Sequence, residues 1–257
     1  MKPNNEEENN DFVIGRHPVV AALQAKQEAN KLFLQTGINE KDPVIANALK
    51  IANKQHLVIS RVPKQKLDLM TDRQNHQGIV LAVAAFDYAT IDDLFANAEQ
   101  KNEAPFFIIL DNIEDPHNLG SIIRTADAAG VHGVIIPKRR AVGLTSTVAK
   151  TSAGGAIERV PVARVTNLTN AINELKERGG VWVFGTDMHG TDYRRWDAKG
   201  AVALIIGNEG KGISPLVKKQ VDEMLTIPMV GDIQSLNASV AASVLIYQGY
   251  NARHPLN

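Results

Sequence analysis

Five short β-rich runs, at residues 106–110, 133–136, 181–184, 202–206 and 224–227, recur through the last 150 or so residues of the chain, and helical patterns at 119–129, 168–178, 215–221 and 238–250 alternate with them. Strands separated by helices of this length cannot pair through tight hairpins. They predict an α/β fold whose mostly parallel sheet is covered on both faces.

The chain upstream reads as a second, smaller α/β unit. Residues 12–14, 31–35 and 57–59 are strand-like, 18–24 and 44–54 are helical, and 78–85 is a continuous apolar strand of the kind buried on both faces. This places a small domain at 12–86 and a larger one at 105–257. Between them, 87–104 is rich in Ala, Asp, Glu and Asn, carries a short helical pattern at 91–100, and reads as a linker. The first 11 residues are acidic and Asn-rich and are expected to be disordered.

Composition removes several chemistries. The chain has no cysteine, so disulfides, thiolate metal sites and a cysteine nucleophile are excluded. No apolar run reaches the roughly 18 residues that would suggest a membrane span, and the first residues do not form a basic stretch leading into an apolar one. The expectation is a cytoplasmic protein with neither membrane nor metal. The 28 basic and 28 acidic residues balance, but the acidic tail holds a net charge of minus three, which leaves plus three on the remainder. Lys138, Arg139 and Arg140, then Arg194 and Arg195, are candidate phosphate-binding clusters; each reads equally well as a solvated surface.

Ligands of open α/β sheets bind where strands end, so the loops after the strands carry the functional signal. After 106–110 comes Asp111-Asn112-Ile113-Glu114-Asp115-Pro116-His117-Asn118-Leu119-Gly120. Asn118 is placed to cap the following helix, with Arg124 in its first two turns, within reach of an anion at the helix start. After 202–206 comes Gly207-Asn208-Glu209-Gly210-Lys211-Gly212. Three glycines in six residues permit close approach to a ligand, and Glu209 is either a hydrogen-bond acceptor for that ligand or a solvated turn carboxylate. The third segment runs from Ile227-Pro228-Met229 to Ser235-Leu236-Asn237-Ala238, where Asn237 caps a helix rich in small residues and Ser235 offers a hydroxyl. Those small residues suit a flat ligand or close helix packing equally.

Each loop alone is ambiguous. Together, Asn118-Leu119-Gly120 with Arg124, Leu204 through Gly210 with Gly212, and Ile227-Pro228-Met229 followed by Ser235 through Ala241 resemble, in order, the three motifs of the SpoU (TrmH-like) branch of the SPOUT RNA methyltransferases. Upstream, Ile14-Gly15-Arg16-His17-Pro18-Val19 and His76-Gln77-Gly78 resemble the small L30e-like RNA-binding domain found in ribosomal-RNA members.

The resemblance implies a C-terminal trefoil-knot domain that binds S-adenosyl-L-methionine through backbone around Thr186, Gly207, Ile227, Met229 and Leu236. It implies a homodimer in which Arg124 comes from the neighbouring subunit, catalytic roles for Arg124, Asn118, Glu209, Ser235 and Asn237, and RNA contacts from Arg16, His17, His76 and Gln77. The implied reaction is 2′-O-methylation of a guanosine in the peptidyl-transferase P loop of 23S rRNA. Two alternatives stand beside it: a transfer-RNA guanosine methyltransferase, whose representatives generally lack the upstream domain, and a non-catalytic ribosome assembly factor. An arginine is effectively always protonated, so the resemblance leaves Arg124 as an electrostatic organiser of the 2′-oxygen rather than a base.

Overall fold

The structure is a computed structural model describing residues 12–233 and 235–256; the acidic tail expected to be disordered lies outside the described residues. The chain divides into one compact unit of residues 1–87 with 144–146, and a second of residues 88–143 with 147–257.

The first unit is built from β1 (Phe12–Ile14), α1 (Arg16–Gln24), β2 (Ala29–Gln35), α2 (Pro43–Lys54), β3 (Ile59–Val62), α3 (Lys64–Met70) and β4 (Ile79–Val83). Its sheet order is β1-β4-β2-β3, with only the β2/β3 pair parallel. The continuous apolar run is an interior strand, as its pattern predicts. Ile79, Leu81 and Val83 join Leu32, Leu34, Leu23 and Ile45 in one core, while Val80 packs with Val62 and Leu67 in another. The expected strand at 57–59 starts and ends later, at 59–62, where pairing with Leu32 through Gln35 fixes its register. Helix α3, too short and weakly patterned to be read from sequence, covers the second face through Leu67.

The second unit begins with α4 (Ile91–Gln100), inside the stretch whose composition suggested a linker. Ile91, Leu94 and Phe95 instead sit in the main core, and a Thr90–Asp93 capping box starts the helix. Then follow β5 (Phe106–Leu110), α5 (Pro116–Ala128), β6 (Gly133–Pro137), α6 (Ser146–Ser152), α7 (Ala156–Arg159), β7 (Val162–Val165), α8 (Leu168–Gly179), β8 (Trp182–Asp192), β9 (Val202–Ile206), α9 (Pro215–Lys218), β10 (Glu223–Thr226) and α10 (Ala238–Arg253). Sequence periodicity missed α6, α7 and β7, all of seven residues or fewer.

The six strands run in the order β10-β8-β9-β5-β6-β7, and every pairing is parallel. Both faces of β5 are buried, as parallel strands covered by helices require. Phe107 and Ile109 face the core under α4 and α8, whereas Phe106 packs against Trp196 at 6.0 Å between ring centroids. A side chain at Gly249 of α10 would collide with that Phe106 ring at 2.7 Å, so the glycine lets α10 lie close to the sheet. The result is an α/β architecture with a parallel C-terminal sheet and a smaller N-terminal unit, as the alternation of strands and helices predicts.

Candidate active site

Strand order sets the site. The chain moves outward from β5 through β6 to β7 on one side, and the later strands β9, β8 and β10 lie on the other. The carboxyl ends of β5 and β9 therefore flank a topological switch point, where open α/β sheets hold ligands.

Buried Asp111, the first residue after β5, ties the two loops together. One of its carboxylate oxygens accepts from Ser214 N at 2.6 Å and the other from Asn112 Nδ2 at 2.7 Å. Asn208 Nδ2 donates to Asn112 O at 3.1 Å, while Asn208 Oδ1 accepts from Gly210 N and Lys211 N. Neither Asp111 nor Asn208 stands out as a site residue from the motifs alone. The available signal was a lone carboxylate at the end of an otherwise apolar strand, a position that needs buried donors.

On this locked frame three expected residues meet. Asn118 Nδ2 donates to Glu209 Oε1 at 2.9 Å, and Asn237 Nδ2 donates both to Asn118 Oδ1 at 3.0 Å and to Glu209 Oε1. Ala238 N, at the start of α10, adds a bond to the same carboxylate oxygen at 3.1 Å. A carboxylate at a helix N-terminus is electrostatically favourable. Asn237 caps α10 as expected, its Oδ1 accepting from Ser239 N and Val240 N. Asn118 does not cap α5. Asp115 does, through His117 N at 2.8 Å, because Pro116 at the first helical position moves the start upstream and frees the Asn118 amide for Glu209.

Arg124 stands apart. With α5 starting at Pro116 it falls in the third turn, not the first two, and six residues from Asn118 turn it about 120° away around the helix. It is exposed and makes no hydrogen bond or ion pair with another described residue. Ser235 is also exposed.

The expected cofactor residues line up along neighbouring strands. Thr186 lies in β8, Gly207 follows β9, and Ile227 and Met229 follow β10, so they share the carboxyl edge of three adjacent strands. Leu236 is half-buried just before α10. Thr186 Oγ1 donates to Ile205 O at 3.2 Å, joining β8 to β9. A Cβ on Gly207 would lie 2.4 Å from Gly212 C, so the loop closes only on glycine there. Among the described residues, backbone from Ile227 to Ile233 makes no hydrogen bond with other backbone groups, which leaves its amides and carbonyls open. Strand β8 runs past its expected end at 184, and residues 186–190 bulge out between the Gly185–Met224 and Thr191–Leu225 pairings. Lys218 pairs with Asp187 in that bulge and holds its carboxyl below the usual range. Of the two basic clusters, Arg194 is taken up by Asp192, whose carboxyl it draws down to about 2. Lys138, Arg139 and Arg140 follow β6, and Val142 N bonds that loop to Ile113 O at 3.0 Å beside the site.

In the first unit, Arg16, His17, His76 and Gln77 line one cleft of about 730 Å³, together with Lys64 and Arg73. Arg16 is held by Asp42 at 2.8 Å, and its backbone N–H donates to Gln77 Oε1 at 3.1 Å. His76 is buried, and both ring nitrogens are used: Nδ1 accepts from Gly78 N at 2.9 Å and Nε2 lies 3.0 Å from Asp68 Oδ1. It braces the turn, whereas Lys64 and Arg73 are exposed in the same cleft. Among the described residues no cluster of His, Asp or Glu could hold a metal ion, and no helix is long and apolar enough to cross a membrane.

Comparison with known proteins divides the chain similarly. Residues 12–89 match the family described as RNA 2′-O ribose methyltransferase substrate binding, and residues 105–247 match the SpoU rRNA Methylase family. A Bacillus subtilis protein, YacO, named for the TrmH family of tRNA/rRNA methyltransferases, is 51% identical over 97% of this chain and 98% of its own length. The AdoMet-bound rRNA methyltransferase from Sinorhizobium meliloti superposes with a TM-score of 0.57 at 26% identity, covering 96% of this chain and 88% of that one. The SpoU methyltransferase AviRb from Streptomyces viridochromogenes, solved with AdoMet, shares the fold with a TM-score of 0.60 at 23% identity, covering 95% and 90%. A catalytic α/β domain behind a substrate-binding domain defines this protein as an RNA methyltransferase. The chain belongs to the SpoU rRNA methylase family.

Proposed function

We propose that this protein methylates the 2′-oxygen of a guanosine in the peptidyl-transferase P loop of 23S rRNA, with S-adenosylmethionine as the methyl donor. The observation that carries the reading is the Asn118–Glu209–Asn237 network, assembled from three distant segments at the carboxyl edge of a parallel sheet. Polar groups so ordered, with one Glu209 oxygen saturated and the other without a hydrogen-bond partner among the described residues, suit a nucleotide whose hydroxyl must be oriented.

The residues present fit the methyl donor. The open backbone at 227–233 offers the amides and carbonyls that an adenosine and an amino acid need, and the side chains of Ile227, Met229 and Leu236 supply apolar surface. When bound, S-adenosylmethionine supplies a methyl group activated on sulfur. The chain's task is then positioning and charge stabilisation. Asn118, Glu209, Ser235 and Asn237 order the nucleotide. Arg124 binds the adjacent phosphate and stabilises the developing negative charge on oxygen.

Arg124 turns away from its own network, so a second copy of the chain supplies it, and the working enzyme is a homodimer. Val240 and Tyr247, exposed one above the other on α10, suit that contact. From the sheet order and the packing of α10 against α5 through Ser243 and Thr125, we infer the trefoil knot of this fold. The first unit is read as an L30e-like domain whose cleft holds RNA through Arg16, His17 and Gln77, with Lys64 and Arg73 beside them. Because transfer-RNA members are expected to lack an upstream domain, the substrate-binding match at residues 12–89 supports ribosomal over transfer RNA.

Incubation with labelled S-adenosylmethionine and either 23S rRNA or bulk transfer RNA, followed by mapping of the modified ribose, tests the assignment. Label at one 23S guanosine is expected. Label in transfer RNA alone would overturn the ribosomal substrate, and label in neither would overturn the enzyme reading.

A further inference from the structure

Methyl transfer to a ribose hydroxyl leaves a proton to be removed, and a guanidinium does not accept it. We propose that His117 is the proton acceptor, an inference that rests on the methyltransferase reading. His117 directly precedes Asn118 in the first turn of α5, at the carboxyl end of β5, and its side chain is exposed.

Its orientation follows from one shared hydroxyl. Thr151 Oγ1 on α6 donates to Thr147 O at 2.8 Å and lies 3.3 Å from His117 Nδ1. A hydroxyl has one hydrogen to give. With that hydrogen committed to Thr147, Thr151 can only accept from the imidazole, so the ring proton of neutral His117 resides on Nδ1 and the lone pair on Nε2. No described residue bonds to Nε2. Gly120 secures the arrangement: a Cβ there would lie 2.6 Å from Thr151 Cβ and 2.9 Å from Val148 O, so glycine lets α5 and α6 come this close.

An orienting acceptor on one ring nitrogen and a free base on the other is what general-base catalysis by histidine needs. As the bond between the 2′-oxygen and the methyl carbon forms, the sulfur–methyl bond breaks and its electron pair stays on sulfur. The hydroxyl proton passes to Nε2. A sulfonium and a neutral imidazole become a neutral thioether and an imidazolium, which later yields its proton to water. Thr151 acts through His117 and is a positioning residue.

Two measurements test the proposal in the full-length protein. Long-range nitrogen–proton NMR correlations of the His117 ring are expected to show the Nδ1–H tautomer in the wild type and a loss of that preference in Thr151→Ala; a wild-type ring protonated on Nε2 overturns the proposal without any turnover being measured. Single-turnover methylation with the RNA that the wild type modifies is expected to fall 100-fold or more in His117→Ala, with the affinities for S-adenosylmethionine and RNA unchanged and partial rescue by added imidazole. A rate within threefold of wild type, or a loss explained entirely by weaker RNA binding, overturns it. Failure of the wild type itself to methylate any RNA overturns the function reading, and with it this one.

Discussion

Asn118 and Glu209, 91 positions apart, are joined by a 2.9 Å hydrogen bond between side chains of two different sheet-end loops. Glu209 Oε1 also receives Asn237 Nδ2 and Ala238 N, so one oxygen gathers all three motifs. Glu209→Ala is expected to cut the methylation rate about 100-fold, the cost typical of losing an oriented polar group in an active site. It should lower the melting temperature by only about 2–4 °C, because the carboxylate is exposed and the net worth of its bonds is about 1 kcal/mol. Rate and thermal melts, measured together, separate the two effects. Unchanged turnover would remove Glu209 from the site.

Placement of Arg124 predicts complementation. Arg124→Ala and Asn118→Ala should each be inactive as homodimers, yet mixed and reassembled they should recover about a quarter of wild-type sites, since half the dimers are mixed and each carries one intact site. Recovery measured against mixing ratio checks this. No recovery, from samples shown to exchange subunits, would place Arg124 in its own subunit's site.

Acid should weaken the fold through His132. This side chain is fully buried, with Nδ1 accepting from Phe106 N at 3.0 Å and Nε2 facing Glu103 at 3.2 Å. Burial, helped by the charges of Lys101 and Arg253 and opposed by Glu103, pushes its pKa from 6.5 to about 4. Between those values the unfolded chain holds a proton that the folded one does not. The stabilisation is therefore complete above about pH 6.5 and is lost as pH falls toward 4, by about 2–3 kcal/mol. Urea midpoints should drop across that window in the wild type and much less in His132→Asn, which begins less stable at pH 7. Parallel profiles would assign the acid sensitivity elsewhere.

The cleft of the first unit should behave as a phosphate site. Lys64→Ala and Arg73→Ala are each expected to weaken RNA binding at all sequences tested and to reduce the slope of log affinity against log salt by about 1, with S-adenosylmethionine affinity unchanged. Filter binding across salt concentrations measures this. An unaltered slope in both variants would remove the cleft from the RNA path.

Periodicity exposed the strands of the parallel sheet because burial on both faces makes them continuously apolar, as in Phe106–Leu110 and Val202–Ile206. It missed β7, α6 and α7, whose four to seven residues complete too little of a period to stand out. Local composition misassigned α4 for a different reason: its polar face dominates the count, while Ile91, Leu94 and Phe95 alone carry the burial. At the site, Asn118, Glu209 and Asn237 were each visible as polar residues at strand or helix ends. Their mutual bonding was not, since no local pattern encodes contacts across 91 or 119 positions. His76 shows the opposite failure, where a turn residue chosen as an RNA contact spends both ring nitrogens on the protein.

Arg253, at the end of α10, donates to the carbonyls of Ala104, Pro105 and Gly200 beside the first and fifth strands laid down in the larger domain. Its guanidinium also lies over Phe106 at 4.9 Å. The final helix thus fastens the beginning of the domain to its end, and Asn237 at the other end of that helix closes the polar network. A chain extended only as far as residue 237 has every described strand of the sheet but neither the fastening nor the finished site. Both the fastening and the finished site therefore depend on this one helix.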